Sequence, residues 1–164
     1  MTCCVTGHRP QGFPFSRDEN NERYIQYRET LLKSIENLIS IGYDTFITGM
    51  AEGADLDFAV CVLHHKKQYP HIILEAALPY PARPDKHIRE STEKRASILA
   101  LCDCIHEVAP CYHAGCMQKR NIFMVDKSDL VLAIWNGTEK GGTWNTIRYA
   151  RQKNKNIQYI RMSP

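Results

Sequence analysis

Apolar and polar positions in this chain come in blocks. Short apolar runs at Thr2 to Thr6, Phe46 to Thr48, Ile72 to Leu78, Cys104 to Val108, Leu130 to Trp135 and Ile157 to Arg161 are separated by longer segments. An unbroken apolar run bounded by turn residues predicts a strand covered on both faces, whereas apolar residues recurring every three or four positions predict an amphipathic helix. Tyr24, Leu31, Leu32, Ile35, Leu38 and Ile39, with the stem of Arg28, give a first helix that Gly42 ends. Leu56, Ala59, Val60 and Leu63 give a second, finishing before Tyr69-Pro70. Pro79, Pro81 and Pro84 forbid helix and hold an extended loop, after which Asp85 can cap a third helix reaching about Leu101. Two more are expected over about Cys116 to Val125 and Trp144 to Lys153, while Gln11 to Asn21 reads as a loop and Ala109 to Ala114 shows no preference.

Strands alternating with helices predict an α/β fold: a Rossmann-like, doubly wound, mainly parallel sheet flanked by helices, with 1-164 as a single domain. In such sheets the ligand crevice lies beyond the carboxyl ends of the strands, where connections diverge to opposite faces. Three predicted strand ends are rich in Gly, Thr and charged residues: 6 to 9, 48 to 55 and 136 to 143.

Each of these loops has a chemical reading and a plainer one. Gly49, Met50, Ala51, Glu52 and Gly53 link a strand to a helix. Glycine lets a ligand approach backbone N–H groups, and the helix start offers free donors to an anion; the same glycines would also serve simply to close a tight connection. Asp55 and Glu52 compete with an anion for those donors, so Asp55 is read as capping its helix in preference to accepting from ribose hydroxyls. Gly141 and Gly142 can open N–H groups to a phosphate with Thr143 as the cap, or form an ordinary capped turn. Thr6, Gly7, His8 and Arg9 follow a buried strand, and the Arg9 fork suits phosphate or carboxylate; otherwise His8 and Arg9 are a surface pair beside Pro10. Arg120, Asn121, Asp126 and Ser128 reach the crevice only if their helix lies along it.

Composition narrows the partners. Twenty-one Lys and Arg against 18 Asp and Glu give a net charge of +3, read as spread along the chain, which neither demands nor forbids nucleic acid. Arg83, Lys86, Arg89, Lys94 and Arg95 form a basic segment without interleaved aromatics, so nucleic acid ranks below a nucleotide-type small molecule. Seven cysteines, several in apolar runs, read as reduced, buried small hydrophobes. Cys102, Cys104, Cys111, His113 and Cys116 have spacing too tight for a zinc site, so no metal and no certain cofactor are expected. With neither a leader-like start nor an apolar run of membrane-spanning length, a cytoplasmic protein without a membrane partner is expected, and a homo-oligomer stays open.

The stretch Thr48-Gly49-Met50-Ala51-Glu52-Gly53-Ala54-Asp55 resembles the Gly-Leu-Ala-Arg-Gly-Ile-Asp turn of the DNA-processing protein A family. Thr6-Gly7-His8-Arg9-Pro10, Met124-Val125-Asp126-Lys127-Ser128-Asp129 and Gly141-Gly142-Thr143 resemble the YpsA-like branch of the SLOG superfamily, which also holds the Lonely Guy phosphoribohydrolases. The resemblance implies a Rossmann-like domain that binds nucleotides or nucleotide-derived ligands, of a kind proposed to act as a sensor in stress or phage-conflict systems. Two alternatives accompany that reading, a nucleoside-monophosphate N-glycosidase and a single-stranded DNA-binding module. DNA-processing proteins usually carry further domains, and none is expected here.

Lonely Guy enzymes carry a Pro-Gly-Gly-x-Gly-Thr turn with a glutamate just beyond; here Lys140 replaces the proline and no acid follows Thr143. Cleaving an N-glycosidic bond builds positive charge on the ribose, which calls for a nearby carboxylate. Glu52, Asp55 and Asp129 are the candidates left to supply one. Incubation with adenosine and guanosine monophosphates, followed by chromatography, is expected to show no enzyme-like release of base. Steady turnover abolished by Asp55→Asn or Glu52→Gln would contradict this.

Overall fold

The computed structural model describes residues 1–81 and 89–162. The expected Asp85 cap, the Pro84 end of the extended loop, and Arg83 and Lys86 lie outside the described residues. Strands β1 (Thr2–Gly7), β2 (Thr45–Thr48), β3 (Ile73–Leu78), β4 (Cys104–Glu107), β5 (Leu130–Trp135) and β6 (Asn156–Arg161) form one sheet in the order β4-β3-β2-β1-β5-β6. Every pairing is parallel. Helices α1 (Glu22–Ser40), α2 (Ala54–Lys66), α3 (Arg89–Leu99), α4 (Cys116–Asp126) and α5 (Gly141–Gln152) cover it. The expected α/β architecture is therefore the observed one.

The register explains why the strands are apolar throughout. Cys4 sits between Ile47 and Val131 on the central strand, and all three face α4 and α5 together with Met124, Val125 and Ala150. Cys3 and Val5 face the other way, with Phe46, Leu74, Leu132 and Ile134, against α1, α2 and α3. Both faces are covered, so each strand needs apolar side chains at consecutive positions.

Helix starts follow their local chemistry. The Asn21 carboxamide oxygen accepts from the N–H groups of Arg23 (3.1 Å) and Tyr24 (3.2 Å), so α1 begins two residues before its first apolar position. At α5 the expectation needs correction: the helix starts at Gly141, three residues ahead of Trp144. Gly141 adopts φ 79°, which a residue with a Cβ would resist, and this turns the chain into the helix early. Lys140 occupies the cap position without a side-chain hydrogen bond, so Thr143 is not the cap; it is buried in the first turn.

The segment from Gln11 to Asn21 is irregular, as expected, but anchored. A short 3-10 turn over Pro10–Gly12 leads into Phe13 and Phe15, which pack on Tyr27. Beyond them the Arg17 guanidinium lies over the rings of Phe13 and Tyr24. Its Nη2 donates to Asp57 Oδ1 at 2.8 Å, and the Tyr24 hydroxyl donates to the same oxygen at 3.1 Å. Asp57 is 2% exposed, so its charge depends on these two donors. Removing one member of such a pair leaves the other uncompensated, which is costlier than removing both. Asp57→Ala is expected to cost about 3 kcal/mol in urea unfolding, and Arg17→Met combined with Asp57→Ala less than that. A double variant less stable than Asp57→Ala would contradict the pairing.

Candidate functional site

The site grows from the turn after β2. Thr48 ends the strand with its hydroxyl donating to the carbonyl of Asp55 (2.9 Å) and accepting from the N–H of Met50 (3.2 Å). These bonds hold Met50 at φ 57°, a left-handed conformation rare outside glycine, and send its side chain into the core. Gly53 at φ 99° then brings the turn against the end of β1, where the Ala54 N–H donates to the His8 carbonyl at 3.1 Å. A Cβ on Gly53 would lie 2.5 Å from that carbonyl oxygen, and one on Gly7 would collide with the side chain of Ala54. The two strand ends thus pack backbone against backbone.

A buried charge pair closes the turn from the other side of the sheet. Arg120 projects from α4 and its Nη1 donates to the carbonyl of Gly49. The same nitrogen lies 3.7 Å from Asp55 Oδ2, which also accepts from the Ala51 N–H at 3.3 Å. Both residues are 6% exposed. Burial pushes the Asp55 carboxyl above the usual carboxylate range, against Arg120, the Ala51 N–H and Arg9, which all favour its ionised form. Burial likewise pulls the Arg120 guanidinium below its ordinary value. Asp55 therefore does not cap its own helix; it reaches back to Ala51 and across to Arg120. Gly49 is glycine because its Cβ would overlap that guanidinium and lie 2.7 Å from Asp55 Oδ2.

Between the ends of β1 and β5 lies a cleft of about 320 Å³. The chain leaves β1 for α1 on one face and β5 for α5 on the other, so this is the place where connections diverge. Thr6, Gly7, His8 and Arg9 line one wall, Gly141, Gly142 and Thr143 the opposite one, and Ala51, Asp55, Arg120 and Asn121 the floor between them. Asn121 is fixed by a 3.0 Å bond from its Nδ2 to the Thr146 hydroxyl. The start of α5 has no acid in its first turn and a lysine at its cap, and nothing lies within 4 Å of a Cβ placed on Gly141 or Gly142. No side chain caps its first N–H groups, which have no partner within the helix. Among the described residues the buried Nε of Arg120 and Nε2 of His8 have no hydrogen-bond partner, and burial lowers the His8 pKa.

The remaining expected residues fall elsewhere. Gly49, Met50, Glu52 and Gly53 build the turn without lining the cleft; Met50 is core and Glu52 points to solvent. Asp126 and Ser128 sit at the far end of α4, held by the Tyr149 hydroxyl and the Met124 carbonyl. Asp129 accepts from the Thr2 N–H at the opposite edge of the sheet, so of the three candidate acids Asp55 alone reaches the cleft. Val5, Gln11, Gly12, Met117 and Lys140 also line it. A signal for Lys140 was present, since it directly precedes the glycine pair. Gln11 and Gly12 arrive through Asn136, whose Nδ2 donates to the Gly12 carbonyl at 2.9 Å. Among the described residues no three His, Cys, Asp or Glu side chains converge to hold a metal ion, and no helix is long and apolar enough to cross a membrane.

This geometry defines a Rossmann-like α/β protein with its crevice at the topological switch point. Residues 3–164 match the YspA SLOG family, and the chain belongs to that family. It is similar to the uncharacterized SPbeta prophage-derived protein YoqJ of Bacillus subtilis (strain 168), 29% identical over 157 residues, or 88% of this chain and 91% of that protein. It is also similar to a UPF0398 protein of Ligilactobacillus salivarius (strain UCC118), 27% identical over 87% of this chain and 79% of that protein. A UPF0398 protein of Shouchella clausii (strain KSM-K16) is 28% identical over 90% of this chain and 79% of its own length. Family and fold are compatible with a nucleotide-related function.

The contact between Gly49 and Arg120 makes a direct test of the turn. Gly49→Ala is expected to displace the guanidinium and to cost about 2 kcal/mol, as overpacking of a filled site does. In an Arg120→Ala background the same change should cost much less, because the obstacle is gone. Equal costs in the two backgrounds, measured by chemical denaturation, would contradict the assigned contact.

Proposed function

We propose that the cleft binds a nucleotide or nucleotide-derived ligand, with a phosphate group on the first turn of α5. The observation that carries this reading is the surplus of unsatisfied positive character around one opening. An uncapped helix start with Lys140 at its cap faces Arg9 and Arg120, and Asp55 is the single lining carboxylate, already engaged by Arg120. A helix start offers free N–H donors and the positive end of a dipole, so a cation at its cap is unfavourable until an anion arrives. The switch point of a parallel sheet is where nucleotides bind in such folds, and a cleft of this size suits one. Asn121, Thr6 and the Asp55 carboxylate supply the polar groups that would orient the sugar and base.

Gly142 is the position to change, because its backbone carries no left-handed strain and its Cβ would enter open space. Gly142→Val is therefore expected to keep the fold and block the anion. A thermal-shift panel of nucleoside mono-, di- and triphosphates is expected to contain a stabilising ligand. At a hundredfold excess over its dissociation constant that ligand stabilises the native chain by about 2.7 kcal/mol and leaves Gly142→Val unchanged. Equal stabilisation of both proteins would remove this turn from the site.

A further inference from the structure

The expected even spread of charge along the chain does not hold. Residues 140–164 hold Lys140, Arg148, Arg151, Lys153, Lys155 and Arg161 and no acid, whereas all 18 acids, with 15 cations, lie in residues 1–139. The first 139 residues are thus net −3 and the remainder +6. The fold collects the cations of α5 and β6 along one margin of the molecule, since β6 is the outermost strand of its side of the sheet. Five of the six are exposed and Lys155 is half-buried. Among the described residues none of the six forms an ion pair. Asp126, the acid that approaches this surface, is held by the Tyr149 hydroxyl at 2.9 Å.

Aromatic rings are set among these charges. Trp135 at the end of β5 stacks on Trp144 of α5 with centroids 5.5 Å apart and planes 11° from parallel, and Tyr159 of β6 lies 6.0 Å from Trp135. Arg151 lies over the Trp144 ring and donates to the Tyr159 hydroxyl at 3.0 Å, which fixes the group in place. All three rings are half-buried, so each keeps part of its surface in water.

We propose that the α5–β6 margin is a docking surface for single-stranded nucleic acid. Exposed cations without an ion-pair partner beside a fixed, partly exposed aromatic cluster match a chain of regularly spaced phosphates carrying unstacked planar bases. A duplex keeps its bases within the stack and would meet the charges alone. A bilayer or an apolar protein surface fits less well, because no large hydrophobic side chain of α5 or β6 is among the exposed ones. The basic segment from Arg83 to Arg95 has no aromatics, and on that segment alone nucleic acid ranks low. Here the two ingredients come from different elements and meet only in the fold. Lys140 also lines the cleft, but the other five cations lie outside it, so the proposal does not rest on the nucleotide reading.

The chain supplies its own probe, since its two tryptophans are both in this cluster. Titration with an oligothymidylate of about 20 nucleotides, long enough to span such a surface, is expected to quench the tryptophan emission to saturation. The logarithm of the binding constant should fall with the logarithm of salt with a slope of about −2 to −3, as three or four phosphate contacts to a single strand require. Arg148→Glu with Arg161→Glu is expected to weaken binding at least tenfold. Arg23→Glu with Lys33→Glu, exposed on α1, should bind as the native chain does, with circular dichroism confirming that each variant is folded. The proposal is overturned by unchanged emission up to about 100 µM oligonucleotide at low salt, where even non-specific binding would register. It is equally overturned by equal affinity for a duplex of the same length, by equal weakening in the α1 variant, or by binding to anionic phospholipid vesicles without binding to the oligonucleotide.

Discussion

The Arg120 guanidinium ties this molecule's site together. It comes from α4 on one face of the sheet and reaches a turn that leads into α2 on the other, where it meets the Gly49 carbonyl and the Asp55 carboxylate. A buried arginine without partners would be costly to keep, and a buried aspartate equally so, which is why each depends on the other and on the backbone around them. The pair imposes glycine at position 49, withdraws Asp55 from its own helix start, and places a cation at the floor of the cleft.

Around that pair the cleft follows from topology. Two consecutive strand ends pack so closely that Gly7, Gly53 and Ala54 leave no room for larger side chains, and this fixes one wall. The opposite wall is the start of α5, which Gly141 brings forward by turning left-handed and which is left without a capping side chain. The two walls therefore differ in their tolerance of change. The turn beside Arg120 is filled and intolerant of added atoms, while the α5 turn is open and could be changed without disturbing the core.

Much of the fold was legible in the sequence because it rests on short-range pattern. Leu130 to Trp135 or Tyr24 to Ile39 announce strand or helix by their own spacing, and glycine-rich strand ends announce the cleft. What escaped depends on partners distant in the chain. Arg120 lies 71 residues from Gly49, so no local periodicity could show that Asp55 would turn toward it instead of capping its helix. Arg17 and Asp57 are 40 residues apart, and the segment carrying Arg17 has no period to betray its anchoring. The early start of α5 was hidden because two glycines ordinarily argue against helix. The tryptophan pair was missed because Trp135 and Trp144 belong to a strand and a helix that meet only after the sheet forms.

The central claim, that the cleft is built for the phosphate of a nucleotide, is tested most directly by calorimetric titration of each common nucleoside monophosphate beside its own nucleoside. The account predicts that at least one nucleotide binds and that its nucleoside binds at least about tenfold more weakly, a difference of about 1.4 kcal/mol. A nucleoside that binds as tightly as its nucleotide, or a panel in which no nucleotide binds, would contradict it.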